Sequence, residues 1–369
     1  MKGSAPRVRI FLVVLFVCLF GLPYAADAAY HFSNYRGKPP IHVYGTSTKS
    51  PTGMSPNTIK SIYHLPQTGG SGTIAIIGAY DDPSIESDLA VFDAQFDLSP
   101  CTKKNGCLEQ HLMSTKENGN SGWALETTLD VEWAHALAPG AKILLVEAAT
   151  PSGANLLKAV DYAASRHDVV AISMSWGGPE FPEEVALDTH FKSVSGAVFF
   201  ASSGDDGAGA SWPASSPDVI GVGGTHVVLS SNGSLSSETA WSGSGGGISA
   251  YEKEPAFQNG YDIPKANGMR AIPDVSFDAD PASGFPIYHA GVWREVGGTS
   301  AGAPQWAAIA SLGSGITLER LYADKASDRA GAYFRDIISG HNGSCGYLCS
   351  ARKHYDYVTG LGSPLTANF

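Results

Sequence analysis

Short runs of almost uninterrupted apolar residues alternate along this chain with stretches whose apolar positions recur every three or four residues. Ile74-Ala75-Ile76-Ile77, Lys142 to Val146, Val169 to Ser173 and Ala197 to Ala201 are of the first kind. Runs this short and this apolar predict strands buried on both faces, as in a parallel sheet covered by helices. Ser84 to Phe96, Asn155 to Arg166 and Pro182 to Ser193 are of the second kind and predict helices. In the middle one, Leu156, Leu157, Val160 and Ala164 form the inner side. Strand and helix in alternation imply a doubly wound α/β domain with a mostly parallel central sheet. Gly122 to Leu137, GWALETTLDVEWAHAL, predicts a further helix that starts after Asn120 or Ser121 and ends near Pro139-Gly140. No internal repeat and no linker divides residues 54–369, which read as one domain preceded by a polar lead-in at 29–53.

The amino terminus breaks this alternation. Lys2, Arg7 and Arg9 precede an apolar run from Ile10 to Phe20, and Ala26-Asp27-Ala28 fits a small-x-small cleavage site. Eleven residues rise only about 16 Å as helix, too short for a hydrocarbon core of about 30 Å. A secretory signal peptide at 1–28 is therefore expected, with an exported product and no membrane anchor after cleavage. Cys18 would leave with it, and the four remaining cysteines form two close pairs, Cys101/Cys107 and Cys345/Cys349. Local disulfides within each pair are favoured over the other two connectivities and over a zinc site, because neither pair has the two-residue spacing of a zinc knuckle.

Composition removes other classes. The 369 residues are 43% hydrophobic and 16% charged, with 43 Gly, 22 Pro and a net charge of −11. Such a chain can bury a large core, and its acidity excludes a phosphate-backbone binder. Its many glycines and prolines speak for tight turns and against a coiled coil.

Candidate chemistry is concentrated in three places. Glu126 and Asp130 stand four apart on the predicted helix, so they share a face about 6 Å apart. Like charges at that spacing cost a few tenths of a kcal/mol, so local helix stability does not explain them; the plainer reading is a solvated acidic first turn. Ser300 lies in Gly297-Gly298-Thr299-Ser300-Ala301-Gly302-Ala303-Pro304, before an apolar helical run from Gln305 to Leu312. Small neighbours admit a substrate backbone, and a helix start aims amide N–H groups at an oxyanion. Ser202-Ser203-Gly204-Asp205-Asp206-Gly207 follows a buried strand, the end of a parallel sheet where ligands gather, although Asp before Gly is also a common turn.

Together these segments resemble the sedolisins, the serine-carboxyl peptidases. The resemblance runs from Met54 to about Pro364 through MSPNTIKSIYHLP, IAIIGAYDDPSIESDLAVFDAQF, ETTLD, SMSWGG, SSGDDG, WPASSPDVIGVGGT, SGGGIS, RAIPDVSFDADP and GGTSAGAP. It implies a subtilisin-like fold in which glutamate replaces the usual histidine base. Carried over, Ser300 is the nucleophile, Glu126 its general base, Asp130 the group that orients Glu126, and Asp205 the oxyanion-hole acid. A Glu base and an Asp donor both call for acid, since the reference carboxyl pKa is near ~4. The implied protein is a secreted, acid-acting, monomeric peptidase on peptide or protein substrates. It would carry one structural calcium ion, held by the carboxylates of Asp336 and Asp356 and the carbonyls of Ile337, Arg352 and His354. Two departures stand out: Arg352 and His354 replace glycines usual in the family, and no long prosegment separates Ala28 from Met54.

Other readings compete. Gly298-Thr299-Ser300-Ala301-Gly302 also matches the G-x-S-x-G elbow of α/β-hydrolases, which would need His341 or His354 as base and leaves ETTLD and SSGDDG without a role. His226 in GGTH vaguely resembles a subtilisin histidine motif, but it follows a strand instead of opening a helix. Glu132 and His135 form a single E-x-x-H pair where di-iron bundles need two. A catalytically silent exported binding domain on the same scaffold is the non-enzymatic alternative.

Overall fold

The computed structural model describes residues 31–114, 119–313, 315–323 and 330–369, with residues 1 and 3. The expected signal peptide and its cleavage site lie outside the described residues. In chain order the first elements are β1 (His42–Thr48), α1 (Pro56–Ile62), β2 (Thr73–Ala79), α2 (Ile85–Gln95), β3 (Leu108–Leu112), α3 (Ser121–Leu137), β4 (Lys142–Ala148), α4 (Gly153–Ala164), β5 (Val169–Met174) and β6 (Gly178–Pro179). Next come β7 (Val198–Ser202), β8 (Ser211–Trp212), β9 (Val219–Leu229), β10 (Leu235–Ala240), β11 (Gly247–Lys253), α5 (Ala256–Tyr261), β12 (Met269–Ile272), β13 (Val275–Asp278), β14 (Phe285–His289), β15 (Val292–Gly297) and α6 (Thr299–Leu312). The carboxyl end adds α7 (Leu318–Tyr322), α8 (Ala330–Tyr333), β16 (Phe334–Arg335) and β17 (Ser363–Pro364).

Among the described residues, eight strands build the central sheet in the order β10-β9-β7-β5-β2-β4-β3, with β13 also pairing with β9. Only β10 runs antiparallel to its neighbour. The apolar runs became these parallel strands because both sheet faces are covered. Along β2, Ile74 and Ile76 join the core under α3 and α6, whereas Ala75 and Ile77 join the core under α4. That division follows the two-residue period of a strand. This is the subtilisin-like α/β architecture expected from the sequence, with the carboxyl ends of β5 and β7 opening toward one side.

One predicted helix is corrected. Within 182–193, only Glu184–His190 is helical, and it is a 3-10 segment. Val185 is exposed and the segment buries only Glu184, so it has no apolar stripe to hold a longer α-helix against the sheet. The carboxylate of Glu184 instead accepts from the Phe181 N–H at 2.8 Å and the Ser215 hydroxyl at 3.0 Å, tying the segment to loops. Both local disulfides, Cys101–Cys107 and Cys345–Cys349, are formed.

The lead-in is integral to the body. Strand β1 pairs antiparallel with β15, His42 facing Gly297, in a three-stranded sheet with β14. Upstream, Tyr35 is buried against Phe181 and Trp212, and its hydroxyl donates to the Trp212 carbonyl at 2.8 Å. No helix among the described residues is long and apolar enough to cross a membrane.

Candidate active site

Helix α3 starts where the Asn120 side chain accepts from the N–H groups of Gly122 and Trp123, both at 3.1 Å. From Glu126 to Leu137 every residue is buried, so the solvated acidic turn is not what forms. Glu126 and Asp130 sit one helical turn apart, each 1% exposed, on a helix packed against α6. Helix α6 opens directly after Gly298, whose φ of 124° only glycine adopts without strain. Its first turn carries Ser300, fully buried. Asp205 lies in the loop after β7, where Oδ1 accepts from both the N–H and the hydroxyl of Thr299 at 2.8 Å. Three separate elements thus bring together the four side chains singled out in the sequence.

What these groups lack is as informative as what they touch. Among the described residues neither Glu126 oxygen has a hydrogen-bond partner, nor does the Ser300 hydroxyl. Even so, the hydroxyl is close enough to favour the ionised form of Glu126. Catalytic contacts are often long before substrate binds and shorten afterwards. Burial pushes the Glu126 carboxyl well up from its ordinary range, and the charges of Asp130 and then Asp205 push it further. Burial raises Asp130 as well, against the Ser175 hydroxyl, which lies 2.7 Å from Asp130 Oδ1. Among the described residues no arginine or lysine offsets either group, and two buried acids one helical turn apart titrate together and not one by one.

Asp205 is raised by burial and lowered by His42 and Thr299. Its Oδ2 lies 3.1 Å from His42 Nε2, within ion-pair reach although not aligned as a hydrogen bond. The Ser300 N–H faces the Pro40 carbonyl oxygen at 3.4 Å. That oxygen and Asp205 Oδ2 approach the same point above Gly298: a Cβ there would stand 2.1 and 2.5 Å from them. The spot is one that an oxyanion could occupy, between an amide donor and a carboxyl group.

Ser175, Thr299, Pro40 and His42 belong to this site and were not singled out beforehand. Ser175 lies in the SMSWGG segment and Thr299 in GGTSAGAP, so both fall within the family resemblance, which marks no role for either. The Ser175 hydroxyl is also 3.1 Å from the Ser300 carbonyl, so it links the acid pair to the turn that bears the nucleophile. The competing bases lie elsewhere. His341 and His354 are exposed on the carboxyl-terminal loop, whereas Ser300 has no exposed surface. His226 contacts Asp280 at 3.1 Å, and Glu132 accepts from the Tyr288 N–H at 3.0 Å.

Four of the five expected metal ligands meet in two pairs, through backbone N–H groups. Asp336 Oδ2 accepts from the His354 N–H at 2.9 Å, and Asp356 Oδ2 from the Arg352 N–H at 3.0 Å. His354 takes φ of 68°, so a non-glycine residue adopts the left-handed backbone at this turn. The donor set is hard oxygen, as calcium requires. Asp356, however, already accepts from Val358 and Thr359 N–H groups through Oδ1 and from the Thr359 hydroxyl through Oδ2. It fits an ion only by exchanging some of these donors.

A family profile described as the subtilase family matches residues 114–314, a span that holds α3, Asp205 and Ser300. Fold and site together define a serine peptidase of the subtilisin-like class. Among curated proteins, kumamolisin from Bacillus sp. (strain MN-32) is 31% identical over 404 residues, covering 97% of this chain and 70% of its own length. Sedolisin from Pseudomonas sp. (strain 101) is 30% identical over 288 residues, covering 68% of this chain and 48% of its own. The solved structure of Pseudomonas sedolisin, a serine-carboxyl proteinase complexed with two molecules of pseudo-iodotyrostatin, superposes with a TM-score of 0.72. It is 27% identical and covers 87% of this chain and 96% of that one. The chain belongs to the sedolisin family of serine-carboxyl peptidases.

Proposed function

We propose that this protein is an exported peptidase that hydrolyses peptide bonds in acid through an acyl-enzyme on Ser300. The observation that carries this reading is the meeting of a buried, uncompensated Glu126 carboxyl with a buried, unpartnered Ser300 hydroxyl. Ser300 Oγ attacks the substrate carbonyl carbon while Glu126 takes the hydroxyl proton. Asp130 holds Glu126 and shares its proton load. The developing oxyanion lies between the Ser300 N–H and Asp205, which donates a hydrogen bond while protonated. Collapse breaks the C–N bond, and the proton on Glu126 passes to the departing amine. Water then attacks the ester, Glu126 takes its proton, and Ser300 regains one as the acid product leaves.

The burial-raised carboxyl of Asp205 supports function in acid, because it keeps a donor proton to higher pH than an exposed aspartate would. The signal-like amino terminus and the two disulfides support export. A monomer is part of the same proposal, because the site draws its residues from one chain. The test is a pH–rate profile on a denatured protein substrate. A bell confined to acid, abolished by Ser300→Ala, is expected. Full activity in Glu126→Gln would remove Glu126 from its role.

One structural calcium ion is proposed at Asp336 and Asp356 with the Ile337, Arg352 and His354 carbonyls. Its contribution would be to brace the carboxyl-terminal loop. Chelation should lower the melting temperature, and no shift on chelation or on added calcium would dismiss the ion.

A further inference from the structure

The loop between α2 and β3 carries a second group of metal-ligating side chains, far along the chain from Asp336 and Asp356. The sulfurs of Cys101 and Cys107 and a ring nitrogen of His135 all lie within 4.8 Å of one another. In the oxidised chain the two sulfurs are joined to each other. We propose that, once this disulfide is reduced, Cys101, Cys107 and His135 bind a zinc ion, with Asp93 orienting the imidazole. The same loop then has two interchangeable staples, one covalent and one metallic. Nothing in it depends on the peptidase chemistry proposed above.

Two unsatisfied atoms point to a ligand here. His135 has no exposed surface, and its Nε2 lies 2.9 Å from the Ser99 carbonyl oxygen. A carbonyl oxygen only accepts, so Nε2 carries the proton and Nδ1 the lone pair. Nδ1 is buried and has no partner among the described residues. Asp93, on α2, is equally deep: its Oδ2 accepts from the Cys101 N–H at 2.9 Å. Its Oδ1 has no hydrogen-bond partner among the described residues and lies 3.4 Å from His135 Nε2. An imidazole whose N–H faces a carbonyl and a carboxylate, with the opposite nitrogen free, is held as metal-binding histidines are held.

The backbone meets the geometric demand. The cysteines are 6 apart in sequence, unlike those of a zinc knuckle, yet their Cα atoms stand 4.9 Å apart. Two thiolates on one zinc ion, each about 2.3 Å from it, are at most about 4.6 Å from each other. The loop is also held from outside the pair, by Asp93 at Cys101 and by the Ile143 N–H, which donates to the Cys107 carbonyl at 2.7 Å. Opening the disulfide therefore leaves both sulfurs beside His135. Two thiolates and an imidazole suit zinc, whereas calcium and magnesium prefer oxygen.

Cys101 is buried and Cys107 partly exposed, so Cys107 is the sulfur a reductant reaches. The thiolate of a dithiol attacks Cys107 Sγ, the S–S bond breaks, and Cys101 leaves. The second thiol of the reagent then frees Cys107 and closes the reagent's own disulfide, its two hydrogens passing to the cysteines. Zinc binding afterwards expels both thiol protons to solvent.

The experiment uses the full chain carrying Cys345→Ser and Cys349→Ser, so that only one disulfide is reducible. After reduction with dithiothreitol and its removal without air, the chain should bind one equivalent of zinc, read by competition with a chromophoric chelator. The oxidised chain should bind none. Cobalt(II) in place of zinc should give thiolate charge-transfer bands and the ligand-field bands of a tetrahedral site. Zinc should also recover most of the melting temperature that reduction removes. His135→Gln should weaken zinc binding by about 100-fold and Asp93→Asn by about 10-fold. Zinc uptake no greater in the reduced than in the oxidised chain would overturn the site. So would an affinity unchanged in His135→Gln or, should that variant fail to fold, in Asp93→Asn.

Discussion

Two buried acidic centres in this molecule have opposite electrostatic construction. Asp274 has no exposed surface, yet every direction around it is answered: Arg270 reaches it at 2.8 and 2.6 Å, the Tyr322 hydroxyl at 2.7 Å and the Gly221 N–H at 2.7 Å. Glu126 is as deeply buried and, among the described residues, has neither a cation nor a hydrogen-bond partner. The first arrangement stabilises charge in place and joins β9, β12 and α7. The second leaves a carboxyl whose proton is easily moved, which costs stability and is useful for chemistry. Burial alone does not separate structural from reactive acids; compensation does.

The comparison can be broken most sharply at Glu126. Glu126→Gln should reduce kcat/KM by about 10²–10⁴-fold, the range for loss of a general base, while the melting temperature at pH 7 stays equal or rises. A large loss of stability would place Glu126 with Asp274. Arg270→Met should do the reverse, destabilising the fold by about 3–5 kcal/mol because Asp274 stays buried without its partner. Activity per folded molecule should survive, as urea titration beside active-site titration would show.

A third test concerns four more buried acids. Burial pushes Asp93 and Glu147 up to about 7, Glu252 to about 8 and Glu184 to about 9. The folded state therefore holds protons that the unfolded chain releases near pH 4. Their stabilising contribution is complete below that pH and is lost as pH rises through the folded values, so the melting temperature should fall between pH 5 and 9. A flat profile over that range would show that these groups are relieved by water or local opening.

Much of this molecule was legible along the chain. The buried strands announced themselves because both sheet faces are covered, and α3 because a cap at Asn120 directly precedes seventeen helical residues that hold the paired acids. The four proposed catalytic side chains came from segments matched to a family, not from periodicity. The helix expected at 182–193 shrank for want of an apolar stripe. Ser175, Thr299 and His42 stayed hidden because their meaning arises at long range: Ser175 meets Asp130 across 45 positions and Thr299 meets Asp205 across 94. No local pattern encodes such a meeting. The lead-in is the extreme case, since its polar composition says nothing of the aromatic cluster and the sheet it joins.

The lead-in is held at two places, Tyr35 against Phe181 and Trp212 and β1 against β15. A chain pinned at both ends keeps little freedom between its anchors. Residues 36–41 should therefore resist added protease for as long as the body stays folded. Digestion there at the pace of a loose terminus would show that the anchors open on their own.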